Sequence, residues 1–140
     1  MIPAHLDLKL INSFNKDTLM ETLGIEFTAF GSDFLEATMP VGKHNHQPMG
    51  LLHGGASIAL AESIGSLGSA LMVDIKKYAV VGLNMQANHL KSVRSGLVTG
   101  RGELIHKGRS THIWDITIRD SEGNTISLCR FTNFIKSIEP

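Results

Sequence analysis

The sequence predicts an α+β fold in which an antiparallel sheet packs against one long helix. Three observations support this prediction. Residues 54–73 are a stretch of small and apolar side chains long enough for about five helical turns, two short apolar runs precede it, and four longer runs follow it. Turn-forming residues separate most of these runs, which is typical of antiparallel strands with short connections.

The first part of the chain predicts one short helix and one β-hairpin. Asp17–Leu23 has helical composition, with Asp17 as the predicted N-cap and Gly24 as the C-terminal stop. Turn residues 31–33 separate two apolar runs, which is the pattern of a hairpin. The predicted hairpin strands and the polar loop that follows them are Ile25–Phe30, Phe34–Met39 and Val41–Met49.

Four strands are predicted after the long helix, and turn sequences join the last three in meander order. In the third of the four, every second residue from His112 to Ile118 belongs to one largely apolar face. That face is predicted to pack on the helix. The predicted strands are Ala79–Leu90, Gly96–His106, Ser110–Arg119 and Thr125–Ile135.

Length, charge and cysteine content limit the class of protein. With 140 residues, of which 42% are hydrophobic, residues 1–140 are predicted to form a single domain. Thirteen basic and thirteen acidic residues cancel, which argues against general binding to nucleic acid or membranes. The single cysteine, Cys129, excludes an internal disulfide, and no signal-peptide pattern is visible, so we expect a cytoplasmic protein. His44 and His46 lack a nearby third ligand, so no metal site is predicted.

Glu62 is the one ionisable side chain within residues 54–73. Ala61, Gly65 and Ser69 recur every four residues and form a stripe of small side chains, so we expect neighbouring elements to approach the helix closely and bury it on all sides. A carboxylate removed from water is costly unless it is paired, hydrogen-bonded or protonated. Glu62 is therefore predicted to be functional or partnered.

The residues that start the helix, His53-Gly54-Gly55, offer a second chemical feature. A glycine-rich helix start exposes backbone N–H groups at the positive end of the helix dipole, where an oxygen that gains negative charge can be held. On a helix, His53 and Glu62 point about half a turn apart and lie about 13 Å apart along the axis. A site that uses both must therefore lie between subunits of a symmetric homo-oligomer. Ser66 shares the face of Glu62 and is its predicted helper.

Each candidate residue also has a structural interpretation. Glu62 can be a carboxylate that is hydrogen-bonded across a dimer interface, and His53 can cap the helix or pack near its start. Lys91 and Arg109 can be solvated charges near turns, as surface basic residues usually are. The sequence leaves both interpretations of these residues open.

Residues 47–66 contain two segments that carry a family resemblance. Gln47 to Ala56 reads QPMGLLHGGA, and Leu60 to Ser66 reads LAESIGS. Both resemble the signature of hotdog-fold acyl-CoA thioesterases, in the branch of the Arthrobacter-type 4-hydroxybenzoyl-CoA, phenylacetate-pathway and 1,4-dihydroxy-2-naphthoyl-CoA thioesterases. The resemblance extends from about Gly24 to Ile135. It implies a sheet curled around a long helix, dimers paired into tetramers, and sites at the dimer interface.

The resemblance also implies roles for individual residues. Glu62 would be the nucleophile or general base toward the thioester carbonyl, and the Gly54 N–H would stabilise the oxyanion. Gln47 and His53 would orient the thioester and the Gly54 backbone, and Ser66 from the other chain would position water or the acyl group. Basic and hydroxyl side chains would meet coenzyme A: His89, Lys91, Arg109 and Ser110.

Together these observations predict an enzyme that hydrolyses an aryl- or acyl-CoA thioester, with no metal and no cofactor, since CoA is part of the substrate. A hotdog dehydratase or hydratase is an alternative, but the separation of His53 and Glu62 argues against the acid–histidine pair that it needs at one centre. A non-catalytic acyl-CoA-binding module is a second alternative. A purely oligomeric scaffold is a third, but it would leave the presence of Glu62 in the helix unexplained. The predicted partners are the small-molecule substrate and further copies of the chain in a homotetramer, a dimer of dimers, without nucleic acid or membrane.

Overall fold

In the computed structural model, which describes residues 1–138, an antiparallel sheet of six strands covers one side of a seventeen-residue helix. The helices are α1 (Leu8–Ser13), α2 (Leu19–Leu23) and α3 (Gly54–Ala70). The strands are β1 (Glu26–Phe30), β2 (Phe34–Val41), β3 (Tyr78–His89), β4 (Gly96–Lys107), β5 (Thr111–Arg119) and β6 (Thr125–Ser137). This architecture confirms the predicted α+β class and the single long helix.

The strands lie in the order β1-β2-β4-β5-β6-β3, so β1 and β3 form the two edges of the sheet. The last three strands form the predicted meander. β3 joins the far side of this meander by pairing with β6, with Gly82 opposite Asn133 and His89 opposite Ser127. The sheet order could not be obtained from the strand pattern, because β3 is separated from its neighbour by two intervening strands.

The N-terminal region differs from the prediction at two points. α1 was not predicted, and Asp7 caps it by accepting hydrogen bonds from the Lys9 and Leu10 N–H groups. Asp17 was wrongly predicted as the N-cap of α2. It has a left-handed backbone (φ 60°), and Thr18 is the cap, because its side-chain oxygen accepts a hydrogen bond from the Met20 N–H.

The core lies between α3 and the concave face of the sheet, and small helix residues allow the close approach. A Cβ on Gly65 would stand 2.5 Å from the Phe131 ring, and one on Gly68 would stand 2.5 Å from the Trp114 ring. Trp114 donates its indole N–H to the Ser69 hydroxyl at 2.9 Å, so the buried ring is also hydrogen-bonded to the helix. The predicted inward face of β5 is confirmed, since every second residue from His112 to Ile118 is buried.

Only one face of α3 is buried within the chain. Leu60, Ala61 and Ile64 face the sheet, whereas Glu62 is exposed and Ser66 is half-buried. The expectation that the helix is buried on all sides is therefore wrong for the single chain, because one sheet covers only one side of a helix. Within residues 1–138, none of the helices is both long and apolar enough to span a membrane.

Candidate active site

A cavity of about 320 Å³ opens at the N-terminus of α3, between the loop before the helix and the end of β3. Four of the site residues predicted from the sequence line this cavity. These lining residues are Gln47, Gly54, His89 and Lys91, with Ser57 and Ser127 beside them. Two charged or titratable side chains and a helix start therefore converge on one concave surface.

The first turn of α3 leaves one backbone donor free. The His53 imidazole caps the helix, since its Nδ1 atom accepts a hydrogen bond from the Gly55 N–H at 2.8 Å. The N–H groups of Ala56 and Ser57 donate to the His53 carbonyl. Within the described residues the Gly54 N–H has no acceptor, so it is available to a ligand oxygen at the positive end of the helix dipole.

The absence of a side chain at Gly54 makes room for a histidine. A Cβ at this position would stand 2.7 Å from the Nε2 atom of His89, which is closer than van der Waals contact allows. The other ring nitrogen of His89, Nδ1, lies 2.8 Å from the Ser127 hydroxyl oxygen. His89, predicted to meet coenzyme A, therefore lies directly beside the candidate oxyanion donor.

Gln47 lies in a loop that backbone hydrogen bonds attach to the segment after β3. Its side-chain carbonyl oxygen accepts from the Met49 N–H, and Arg94 donates to the Met49 carbonyl at 3.2 Å. The Leu52 N–H donates to the Val93 carbonyl at 2.7 Å. Because its oxygen is used within the loop, Gln47 has its amide NH₂ group left to donate toward the cavity.

Glu62 lies apart from this cavity. It is two helical turns after Gly54, on the exposed face of α3, and its Oε1 atom is 2.8 Å from where a Cβ on Gly82 would stand. Gly82 is near the start of β3, whereas the cavity is at the end of that strand. Within one chain, the Glu62 carboxylate is therefore too far from the Gly54 N–H for both to contact one thioester group, as the helical spacing predicts.

Ser66 lines a second cavity, of about 430 Å³, between α3 and the N-terminal helices. Most of this lining is apolar, and it includes Leu67 and three aromatic side chains, Phe14, Phe27 and Tyr78. Within residues 1–138 the Ser66 hydroxyl makes no hydrogen bond, in contrast to Ser63, which donates to the Ala59 carbonyl at 2.7 Å. Ser66 is thus a free polar group on the wall of an apolar cavity one turn beyond Glu62.

The four residues predicted to meet coenzyme A form two separate pairs. Lys91 is at the cavity with His89, and its ammonium lies 3.9 Å from Asp120. Hydrogen bonds from Asn124 and nearby backbone lower the pKa of that carboxyl, so Asp120 is charged. Arg109 and Ser110 are exposed in the β4–β5 turn, at the other end of the sheet. The two pairs are separated by most of the length of β3, about 30 Å, so one chain does not bring all four residues together.

Cys129 and His46 are titratable side chains outside this cavity. Burial raises the pKa of the Cys129 thiol to about 11, so it stays protonated and is a core residue. His46 faces the Arg94 carbonyl at 2.7 Å, and within the described residues no group of three His, Cys, Asp or Glu side chains could hold a metal ion. Ser127 and Gly82 were not predicted, because their positions beside His89 and Glu62 depend on strand register.

Comparisons with known proteins agree with this architecture. Residues 49–127 match the family model of the thioesterase superfamily. The proofreading thioesterase EntH of Cronobacter turicensis is 43% identical over 131 residues, which cover 94% of this chain and 95% of that protein. A crystal structure of a mutant thioesterase from Pseudomonas aeruginosa superposes with a TM-score of 0.95 at 43% identity, over 99% of this chain and 100% of that one.

A thioesterase from Haemophilus influenzae gives a TM-score of 0.93 at 42% identity, over 100% of this chain and 98% of that one. These matches span nearly the whole chain, so they include α3 and the sheet. The chain therefore belongs to the thioesterase superfamily, has the hotdog fold and is a thioester hydrolase.

Proposed function

We propose that the protein hydrolyses an aryl- or acyl-CoA thioester to the free acid and CoA at a site shared by two subunits. In this proposal Glu62 is the nucleophile or general base, and the Gly54 N–H of the partner subunit binds the carbonyl oxygen. The observation that carries the proposal is the pair of complementary half-sites on one chain. One half-site has a free helix-start N–H in a cavity, and the other has an exposed carboxylate against β3.

The exposed edge of β3 supports the pairing of two chains. The strand is twelve residues long, and it exposes Val81 by 47% and Leu83 by 63%. Within residues 1–138 no other strand pairs with its outer side. Such an edge favours pairing with another strand. Antiparallel self-pairing centred near Met85 and Gln86 would set Gly82 of one chain opposite His89 of the partner subunit.

This register would unite the two half-sites. Glu62 lies against Gly82, and Gly54 lies against His89. Bringing Gly82 and His89 of two chains opposite one another therefore brings the carboxylate of one chain toward the helix start of the other. A two-fold axis repeats the arrangement, so the dimer would have two identical sites. Pairing of such dimers into a tetramer is the assembly that we propose from the family resemblance.

Mutants of similar proteins give independent support for the residue pair. Crystal structures of a Staphylococcus aureus protein, 43% identical to this chain, were determined with a glutamate and with a glutamine replaced by alanine, and the two positions are fifteen residues apart. Gln47 and Glu62 have the same separation. The mutant Pseudomonas aeruginosa thioesterase also carries a glutamine-to-alanine change.

The proposed chemistry follows from these positions. Glu62 attacks the thioester carbon or takes a proton from the attacking water, and the carbonyl oxygen gains negative charge beside the Gly54 N–H. The tetrahedral intermediate collapses, the carbon–sulfur bond breaks, and CoA leaves as the thiolate, which takes up a proton. With Glu62 as general base, the water oxygen is already on the acyl carbon and the free acid is released. With Glu62 as nucleophile, an acyl–glutamyl anhydride remains, and water hydrolyses it to the free acid and the Glu62 carboxylate. His53 holds the first turn of the helix through the Gly55 N–H, the Gln47 amide donates toward the thioester, and Ser66 on the chain of Glu62 binds water or the acyl group.

The two cavities suggest which part of the substrate each one binds. The apolar cavity beside Ser66 has the aromatic lining suited to an aryl acyl group, and a medium-chain alkyl group is the competing occupant. His89 and Lys91 would meet the coenzyme end, joined by Arg109 and Ser110 of the partner subunit, because antiparallel pairing of β3 brings opposite strand ends together. CoA belongs to the substrate, and the proposed reaction in the cytoplasm needs no further cofactor.

Release of free thiol from a panel of aryl- and alkyl-CoA esters tests the proposal. We expect hydrolysis by the wild type and a loss of at least about a thousandfold in kcat for Glu62→Gln, which keeps the shape but removes the charge. Glu26→Gln, an exposed carboxylate with no hydrogen bond in the described chain, is the matched control and should keep full activity.

Three outcomes would contradict the proposal. Tight binding of CoA esters without thiol release would indicate a binding module, and a change in enoyl absorbance without free CoA would indicate a dehydratase. Full activity of Glu62→Gln would show that Glu62 takes no part in the reaction.

A further inference from the structure

The position of His89 goes beyond the role that the family resemblance implies for it. His89 is exposed in the single chain, yet its imidazole lies over Gly54, with Nε2 2.7 Å from the point where a Cβ would stand. Any side chain at position 54 would therefore collide with this ring. A side chain that only met distant phosphates would not need such close contact with the helix start.

The surroundings of Ser127 determine which nitrogen of His89 carries the proton. Ser127 is fully buried, and its hydroxyl has one hydrogen-bond partner within residues 1–138, the Nδ1 atom of His89 at 2.8 Å. A buried hydroxyl hydrogen requires an acceptor, and Nδ1 is the one within reach. The hydroxyl therefore donates to Nδ1, and neutral His89 carries its proton on Nε2, the atom that faces Gly54.

Two N–H donors consequently converge at the helix start. The N and Cβ atoms of one residue are about 2.5 Å apart, so His89 Nε2 lies within about 5 Å of the Gly54 nitrogen. Two donors that each lie about 2.9 Å from an acceptor can share one oxygen when they are up to about 5.8 Å apart. The geometry therefore allows a single carbonyl oxygen to accept from both.

We infer that His89 is a catalytic residue, the second oxyanion donor beside the Gly54 N–H, and that Ser127 is the positioning residue that sets its tautomer. This inference rests on the proposed thioester hydrolysis. As the attacking oxygen bonds to the carbonyl carbon, the π electrons move onto the carbonyl oxygen, and both N–H groups stabilise that charge. The proton stays on Nε2 throughout, and the electrons return to the carbon–oxygen bond when the CoA thiolate leaves.

Steady-state kinetics separate this role from coenzyme binding. Loss of an oxyanion donor lowers kcat by about a hundredfold or more, with little change in KM. We expect that result for His89→Ala with benzoyl-CoA or the best ester of the panel, and partial recovery of kcat for His89→Gln, whose amide can place a donor near the Nε2 position. His5→Ala, an exposed histidine outside the site, is the matched control. A raised KM with unchanged kcat in His89→Ala would overturn the inference.

A spectroscopic measurement tests the tautomer without depending on activity. The ¹⁵N chemical shifts of the wild-type histidines, with His89 assigned from the signal lost in His89→Gln, should show a proton on Nε2 at neutral pH. Ser127→Ala should weaken that preference and lower kcat at constant KM. A proton on Nδ1 in the wild type would refute the inference. Absence of thiol release from every ester would instead refute the proposed function, whatever the tautomer.

Discussion

Gly82 provides the space that the Glu62 carboxylate occupies. Its position in β3 faces α3, and a methyl group there would stand 2.8 Å from Glu62 Oε1 and 3.3 Å from the Phe131 ring. The first distance is too short for an unbonded contact, and Phe131 is buried and cannot yield easily. The flexible carboxylate would therefore be the group that moves.

We predict that Gly82→Ala lowers kcat/KM by about a hundredfold, because a displacement of about 1 Å at a reacting group is enough for such a loss. Thiol release measures the effect, and an unchanged melting temperature shows that the fold is kept. Gly42→Ala is the matched control, since a Cβ there would meet its nearest neighbour, His44, at an ordinary 3.4 Å. Equal activity of the two variants would contradict the placement of the reacting carboxylate beside Gly82.

The attachment of α3 to the sheet depends on a buried polar cluster at its C-terminal half. The Ser69 hydroxyl accepts hydrogen bonds from Trp114 Nε1 and from Asn133 Nδ2, both at 2.9 Å. Asn133 Nδ2 also donates to the Gly65 carbonyl at 2.9 Å. The helix is therefore connected to β5 and β6 by directional bonds as well as by packing, which fixes its rotation and with it the face that carries Glu62.

Ser69→Ala should destabilise the protein by about 2–4 kcal/mol, because it leaves two buried N–H donors without an acceptor. Urea unfolding measures the change. Ser63→Ala serves as the control: that half-buried hydroxyl donates only to a carbonyl one turn earlier in its own helix, so we expect a cost below about 1 kcal/mol. Similar stability of both variants would show that the cluster does not hold the helix.

The assembled enzyme offers a direct test of a site shared between subunits. Glu62→Gln disables the carboxylate half-site, and Gln47→Ala disables the half-site at the helix start. In a mixed dimer of the two variants, one site would contain both changes and the other would contain neither. We expect two nearly inactive preparations to regain activity when they are unfolded and refolded together.

The recovered activity should approach about one quarter of the wild-type value, since half of the dimers would be mixed and each would have one intact site. Thiol release before and after mixing measures it, and Glu62→Gln refolded alone is the control. No recovery, with mixed dimers demonstrated by a tagged subunit, would mean that each chain carries a complete site.

Several features of this molecule follow from local sequence. The small, apolar composition of residues 54–73 was sufficient to predict α3, and alternation from His112 to Ile118 was sufficient to predict the inward face of β5. Helical periodicity also separates His53 from Glu62, because 3.6 residues per turn hold wherever a helix forms. The signature around Gln47, Gly54 and Glu62 indicated thioester chemistry because it is contained within one short segment of the sequence.

Other features required tertiary contacts. Strand order, the exposure of Glu62 on the uncovered side of α3, and the separation of Lys91 from Arg109 depend on which strands pair and in what register. The same register sets His89 against Ser127 and Gly54, residues that come from three distant parts of the chain. Sequence alone determined the fold class and the reacting segment, because both arise from interactions between near neighbours. Only the tertiary structure decided which side chains surround that segment, because contacts between distant residues follow from the packing of the whole chain.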